Sequence, residues 1–226
     1  MLPPGRKIER VSARQGYDLW SKTYDSTPNP VVSMDSRHTS KALAAQGGEL
    51  ILDAGCGTGR HLRQLLSAGT MPIGIDFAPG MLKVAHRHYP NAPLALADLE
   101  RPLPFKPGTF DAALCALIGE HLSDLGAVSR EFYLVLKPGG RLVFSVYHPQ
   151  MSAAGIEANF EQEGVEYRLG AFHYTVREHV DIFEDAGFVD VEVREFTGDE
   201  ELAASVHAAA KYLGFPVLLV LTARKS

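Results

Sequence analysis

The residues that most constrain this chain are Ile51-Leu52-Asp53-Ala54-Gly55-Cys56-Gly57-Thr58-Gly59-Arg60, an apolar entry and one acid followed by three glycines at alternate positions. Leu50 to Leu52 read as the end of a buried strand, and Arg60 to Leu66 as a helix. A glycine-rich bend between them lets backbone approach a ligand closely, because no Cβ intervenes and unusual φ/ψ values cost little. A dinucleotide fingerprint would need glycine at the third position after Gly57, and Arg60 stands there. The spacing is Gly-x-Gly-x-Gly, led by Asp53, and it points away from a pyrophosphate ligand.

From Glu49 onward strand-like and helix-like segments alternate, the pattern of a parallel sheet covered by helices on both faces. Strands are predicted near Leu50–Ala54, Met71–Asp76, Pro93–Ala97, Phe110–Cys115 and Arg141–Tyr147, with helices near Arg60–Ala68, Pro79–Tyr89 and Asp124–Leu136. Pro79 suits a first helical turn, Gly69 a helix end, and Lys137-Pro138-Gly139-Gly140 a turn before the next strand. His148 to Phe172 lacks a clear period and reads as an insertion or lid. Thr175 to Ala186 reads as a helix with a Thr175/Glu178 capping box. Val189–Phe196 and Phe215–Thr222 read as two further strands around a helical Asp199–Tyr212. The whole is one domain over 1–226, with a helical cap (1–45), a core (46–147), a lid (148–173) and a C-terminal part of the sheet (174–226).

A chain of 226 residues with 46% apolar content can bury the core such a sheet needs. A net charge of −5 argues against a nucleic-acid surface, which needs clustered Lys and Arg. Met1 to Lys7 lacks an apolar leader, and no apolar run reaches bilayer-spanning length. The two cysteines, Cys56 and Cys115, are expected as reduced thiols. These observations predict a cytoplasmic protein, monomeric or homodimeric.

The segment Asp53 to Gly59 resembles the first motif of the class I S-adenosylmethionine-dependent methyltransferases. Further signposts follow in order: Gly74-Ile75-Asp76, Ala97-Asp98-Leu99, Phe110-Asp111 and Leu136-Lys137-Pro138-Gly139-Gly140. The likeness runs from Glu49 to Tyr147 and is greatest to the branch that methylates small molecules, the type 11 or ubiquinone/menaquinone-biosynthesis-like branch. It implies a Rossmann-like, doubly wound α/β fold with a seven-stranded sheet, mostly parallel with an antiparallel final strand. It also implies S-adenosylmethionine as donor, S-adenosylhomocysteine as product, and Tyr17–Asp25 as a helix capping the cofactor pocket.

Open parallel sheets bind ligands beyond the carboxyl ends of their strands, at the point where strand order reverses. That rule gathers the glycine loop, Asp76, Asp98 and Cys115–His121 around one crevice. Gly55, Gly57 and Gly59 would admit the methionine and ribose portion, with Asp53 anchoring the loop or meeting the ammonium through water. Asp76 would accept both ribose hydroxyls, although an acid at that strand end also suits a turn or cap. Phe77 would pack on adenine or in the core. Asp98 would accept from the adenine amine while the Leu99 N–H donates to the ring, or Asp98 would only form a solvated turn. Cys56, Met81 and Cys115 complete the expected cofactor-facing set. Asp111 is expected to support backbone.

Methyl transfer needs alignment and exclusion of water more than a strong base. If the acceptor must lose a proton, His121 and His148 are the candidate catalytic residues, delivered by the loops after the fourth and fifth strands. Tyr24, Tyr147, His148 and His173 are the candidate substrate contacts. No tight His/Cys/Asp spacing suggests a metal, and His61, His86, His88 and His207 read as helix-surface residues. After the fourth strand, Cys115-Ala116-Leu117-Ile118 replaces the Asn/Asp-Pro-Pro-Tyr motif of nucleic-acid and protein-glutamine methylases. The expected acceptor is therefore a small organic molecule, methylated on oxygen, nitrogen or carbon. The competing readings are a nicotinamide-dependent oxidoreductase on the same architecture and a non-catalytic subunit that binds S-adenosylmethionine.

Overall fold

Near-continuous apolar runs make the central strands, because a strand covered by helices on both faces has no solvent side to mark with alternating polar residues. In the computed structural model, which describes residues 7–226, the Leu50–Ala54 and Phe110–Ala116 runs lie at the middle of the sheet. Met1 to Arg6, most of the stretch read as lacking a leader, lie outside the described residues.

In chain order the elements are β1 (Lys7–Arg10), α1 (Ala13–Trp20), α2 (Pro30–Leu43), β2 (Leu50–Ala54), α3 (Arg60–Ser67), β3 (Met71–Asp76), α4 (Pro79–His88), β4 (Leu94–Leu96) and β5 (Phe110–Ala116). There follow α5 (Leu125–Val135), β6 (Leu136–Tyr147), α6 (Pro149–Ala153), β7 (Asn159–Gln162), β8 (Val165–Arg168), α7 (Val176–Asp185), β9 (Phe188–Thr197), α8 (Glu200–Ser205) and β10 (Pro216–Lys225). Seven strands form the main sheet in the order β4-β3-β2-β5-β6-β10-β9. All neighbours from β4 to β6 pair parallel, and β10 runs antiparallel to both β6 and β9. Strand order reverses at β2, with β3 on one side and β5 on the other. This is the expected Rossmann-like α/β sheet with its antiparallel final strand.

Two apolar layers sandwich the sheet. One packs Phe110, Phe144 and Leu219 against Phe132 of α5 and Phe183 of α7. The other packs Ile51, Leu114 and Leu218 against Met34 of α2, Leu65 of α3 and Leu202 of α8. Each fully buried aromatic side chain of this kind contributes about 3 kcal/mol of burial. Among the described residues no helix is long and apolar enough to cross a membrane.

Three parts differ from the sequence reading. Lys137–Gly140 is a bulge within β6 rather than a turn before it: Leu136 pairs with Phe110, and Arg141 pairs with Ala112. Lys137 then reaches Asp111 at 2.6 Å, while Asp111 accepts from the Leu50 N–H at 2.9 Å. In the helical cap the helix expected over Tyr17–Asp25 is instead α1, Ala13–Trp20, and it is followed by α2, a full 14-residue helix capped by Asn29 and started by Pro30. Its buried stripe includes Asp35 and Thr39, and polar residues on the inward face hid the helical period. The lid region is not irregular either. Strands β7 and β8 form a hairpin, and β1 adds to it parallel, giving a separate three-stranded sheet.

That small sheet packs on α1. Trp20 stacks on Phe160 with ring centres 5.0 Å apart, and Phe160 stacks on Tyr167 at 5.1 Å. Gly16 permits the approach, because a Cβ there would lie 2.6 Å from the Leu169 side chain. The N-terminal cap and the lid therefore make one layer over the crevice.

Candidate functional site

The bend after β2 has the conformation its glycines allow. Gly55, Gly57 and Gly59 all have positive φ, a region costly for residues with a Cβ. A Cβ on Gly55 would lie 2.5 Å from Ile118, so a side chain is excluded there. A Cβ on Gly57 would meet nothing within 4 Å, so this backbone borders open space. The first turn of α3 carries no side-chain cap, leaving its N–H groups and positive dipole end for a ligand.

Asp76 ends β3 and points back at this bend. Its carboxylate accepts from the Gly57 N–H at 2.9 Å and from the Ala78 N–H at 2.8 Å. It is thus both the turn residue and a wall of the crevice. Burial pushes its carboxyl up to about 6, against the pull of those backbone donors. Asp53 is also buried, its Oδ2 has no hydrogen-bond partner, and burial raises it to about 6.

Beyond the bend lies a cavity of about 450 Å³, a volume suited to a nucleoside-sized ligand with room beside it. Asp76, Phe77, Asp98 and Leu99 form one wall, Ile118 to Leu122 another, and Tyr17 with Leu169–Phe172 the cover. A smaller cleft of about 40 Å³ continues under the bend, reached by Cys56, Gly57, Met81 and Tyr24. Asp98 is exposed and accepts from the Glu100 N–H at 3.0 Å, so one of its oxygens is engaged in a turn. Cys115 is fully buried in the core and borders neither space, and burial raises its thiol well above the usual range. Gly59 backs onto the Tyr89 ring.

The predicted histidines go to different places. His121 borders the large cavity, and its Nε2 lies 3.0 Å from the Tyr17 hydroxyl. Burial depresses it to about 4, so the ring is neutral near pH 7. His148 turns away: its Nδ1 accepts from the Gln150 N–H at the start of α6, and its Nε2 pairs with Glu195 of β9 at 2.7 Å. It sits outside the crevice because its strand end feeds directly into α6. His173 is exposed in a surface groove with Arg10 and Arg168. Tyr147 is buried beside Asn29, whose amide donates to its hydroxyl at 3.2 Å. Among the described residues no group of three His, Cys, Asp or Glu could hold a metal ion.

Two features were missed in the sequence. His61, read as a surface residue, is buried with Asp35 in a polar knot that the half-buried Arg60 joins. Asp35 receives Arg60 at 2.6 Å, His61 at 3.0 Å, the Ser145 hydroxyl at 2.5 Å and the Thr39 hydroxyl. Burial alone would raise its carboxyl, but Arg60 and these donors outweigh burial and hold it well below the usual range. The second feature is Glu120, buried in the cavity wall with neither carboxylate oxygen hydrogen-bonded. Burial pushes it up to about 7. An acid placed one glycine beyond the apolar run Ala116-Leu117-Ile118 was the available signal.

Comparison with known proteins agrees with this geometry. Residues 52–144 match a family model described as a methyltransferase domain. The chain is 40% identical over 141 residues to a demethylmenaquinone methyltransferase of Corynebacterium kroppenstedtii, covering 60% of this chain and 59% of that protein. It is 32% identical over 145 residues to a malonyl-[acyl-carrier protein] O-methyltransferase of Yersinia pestis, covering 64% and 53%. The chain thus spans little more than half the length of the curated relatives it matches. Among solved structures, an S-adenosylmethionine-dependent methyltransferase from Mesorhizobium loti superposes with a TM-score of 0.71 at 25% identity, covering 84% of this chain and 97% of that one. With the strand order, the glycine bend and its buried acid already in place, residues 52–144 match a methyltransferase domain, and the fold is similar to that of S-adenosylmethionine-dependent methyltransferases.

Proposed function

We propose that the protein transfers a methyl group from S-adenosylmethionine to an oxygen, nitrogen or carbon atom of a small organic acceptor. The observation that carries this reading is the continuity of the glycine bend and Asp76 with the 450 Å³ cavity beneath one cover. The bound donor supplies a methyl group on a positively charged sulfur. Two buried acids, Asp53 and Asp76, give the bend the negative character that suits such a cation.

In this reading the bend from Gly55 to Gly59 holds the amino-acid end through backbone N–H groups, with Asp53 behind it meeting the ammonium through water. Asp76 accepts the ribose hydroxyls with the lone pairs its two backbone bonds leave over. Phe77, Asp98 and the Leu99 N–H take the adenine, and Met81 and Cys56 close the narrow cleft. Tyr24 borders that cleft and Tyr17 the main cavity, and both exclude water. His121, neutral and bonded to Tyr17, orients the cover. Two free, buried thiols fit a cytoplasmic setting.

The nicotinamide alternative loses support, because Arg60 occupies the third fingerprint position and is tied to Asp35. Calorimetric titration with S-adenosylhomocysteine tests the binding, and an absence of binding at millimolar ligand overturns it. Transfer of labelled methyl groups to a panel of small amines, phenols and acids tests the activity and separates an enzyme from a binding subunit.

A further inference from the structure

Glu120 has no role in holding the fold or in the cofactor set above. It sits in the short turn Gly119–His121 after β5, with 3% exposure, and both of its oxygens lack partners among the described residues. A buried carboxylate without donors costs several kcal/mol, so its retention in a cavity wall asks for a ligand that satisfies it. The groups that face it do not. Tyr17 of α1 bonds to His121, Tyr147 at the end of β6 bonds to Asn29, and Tyr24 borders the narrow cleft. His121 is 4.0 Å away and neutral, Asp35 repels it, Arg60 is committed to Asp35, and Arg14, the cation on the same cavity wall, makes no hydrogen bond to it. The cover is also anchored here, since the Phe172 N–H donates to the Glu120 carbonyl at 2.8 Å. Glu120 therefore lines the same cavity as Ile118, Leu122 and Leu169, whose wall also carries Arg14, Asp76, Asp98 and Glu100.

We propose that Glu120 is the group that recognises the methyl acceptor and takes its proton, so that the acceptor is an apolar molecule presenting an N–H or O–H and not a carboxylate. This rests on the methyltransferase reading. In the transfer, the acceptor's N–H or O–H bond breaks and its proton goes to a Glu120 Oε. The acceptor atom's lone pair forms the bond to the methyl carbon, and the C–S electron pair leaves with sulfur, which ends uncharged. A carboxylate acceptor would bring like charge against Glu120 in a space of low polarity and is excluded. The acceptor thus differs from the acid that the name of the Yersinia pestis relative implies.

The test compares wild type with Glu120→Gln, which keeps the shape and removes the charge. S-adenosylmethionine is titrated first, and its affinity is expected to be equal in both within about threefold. A large loss in the variant assigns Glu120 to the donor and overturns the proposal while leaving the methyltransferase reading intact. Failure of both proteins to bind sinks that reading instead. Benzylamine, benzyl alcohol and benzoate are then titrated with and without saturating S-adenosylhomocysteine, in phosphate and in Tris. Wild type is expected to bind benzylamine roughly tenfold or more tightly than benzoate, and Glu120→Gln to lose that preference. The two buffers read proton release on amine binding, expected in wild type and absent in the variant. Equal affinity for the three probes, no benzylamine uptake, or a preference unchanged in Glu120→Gln overturns the proposal.

Discussion

Asp35 and Glu120 are both buried acids, and they end in opposite states. Asp35 is wholly unexposed and collects an arginine, a histidine and two hydroxyls, drawn from α2, α3 and β6. Its charge is stabilised in place, and the knot ties the cap helix to the glycine bend and to the sheet. Glu120 collects no donor, and burial pushes it up to about 7. Burial is shared, so burial does not set the state of a carboxyl. The number of donors around it does, and the acid with none is the one that borders the cavity.

The strongest way to break this comparison is to remove Asp35. Asp35→Ala leaves the buried His61 and the half-buried Arg60 without their partner and is expected to cost about 3 kcal/mol, read as a fall in the urea midpoint. A loss below about 1 kcal/mol would mean that the knot adds nothing to stability.

Glu120 predicts the reverse sign and a pH signature. Its folded value of about 7 lies above the 4.5 of an unperturbed Glu, so the unfolded chain releases its proton first as pH rises. Stability is then lost between about pH 4.5 and 7, and wild type should fall relative to Glu120→Gln by about 3 kcal/mol by pH 8. Denaturant curves of the two proteins at pH 4.5 and 8 give the difference directly. A constant difference would show that Glu120 is ionised in the fold at no cost.

Asp76 is the intermediate case, with two backbone donors and a face on the crevice. Asp76→Ala should weaken S-adenosylhomocysteine by about 1.5–3 kcal/mol in calorimetry. Thr175 lies away from both acids and serves as a control on ordinary polar contacts. It accepts from the Glu178 N–H at 3.1 Å and is met by the Glu178 carboxylate, so Thr175→Ala should cost about 1 kcal/mol of stability and leave ligand binding unchanged. The smallest effect falls on His148. Its partner Glu195 is half exposed, and Glu195→Gln should change stability by less than about 1 kcal/mol and leave methyl transfer intact. A large loss of activity there would return His148 to the catalytic set.

Local order was legible where neighbours in sequence make the structure. The glycine bend, β2, β3, the Thr175 cap and Asp76 at its strand end each depend on a few adjacent residues with strong conformational preferences. Contacts across long separations were not. Ser145 meets Asp35 from 110 residues away, and Tyr17 meets His121 from 104. His61 looked like a surface residue because its helix position carries no sign of what α2 lays over it. His148 looked catalytic because strand ends usually face the crevice, and only the turn into α6 sends it to Glu195.

From its residues alone the chain declared an α/β sheet, a bare-backbone bend and an acid aimed at it, since short-range sterics and hydrophobic periodicity suffice for those. The tertiary fold decided which acids are satisfied, which histidine reaches the cavity, and that a strand at Lys7–Arg10 joins a hairpin more than 150 residues later to roof the site. Those outcomes depend on which donors surround each group in space, and that is a property of packing rather than of any segment.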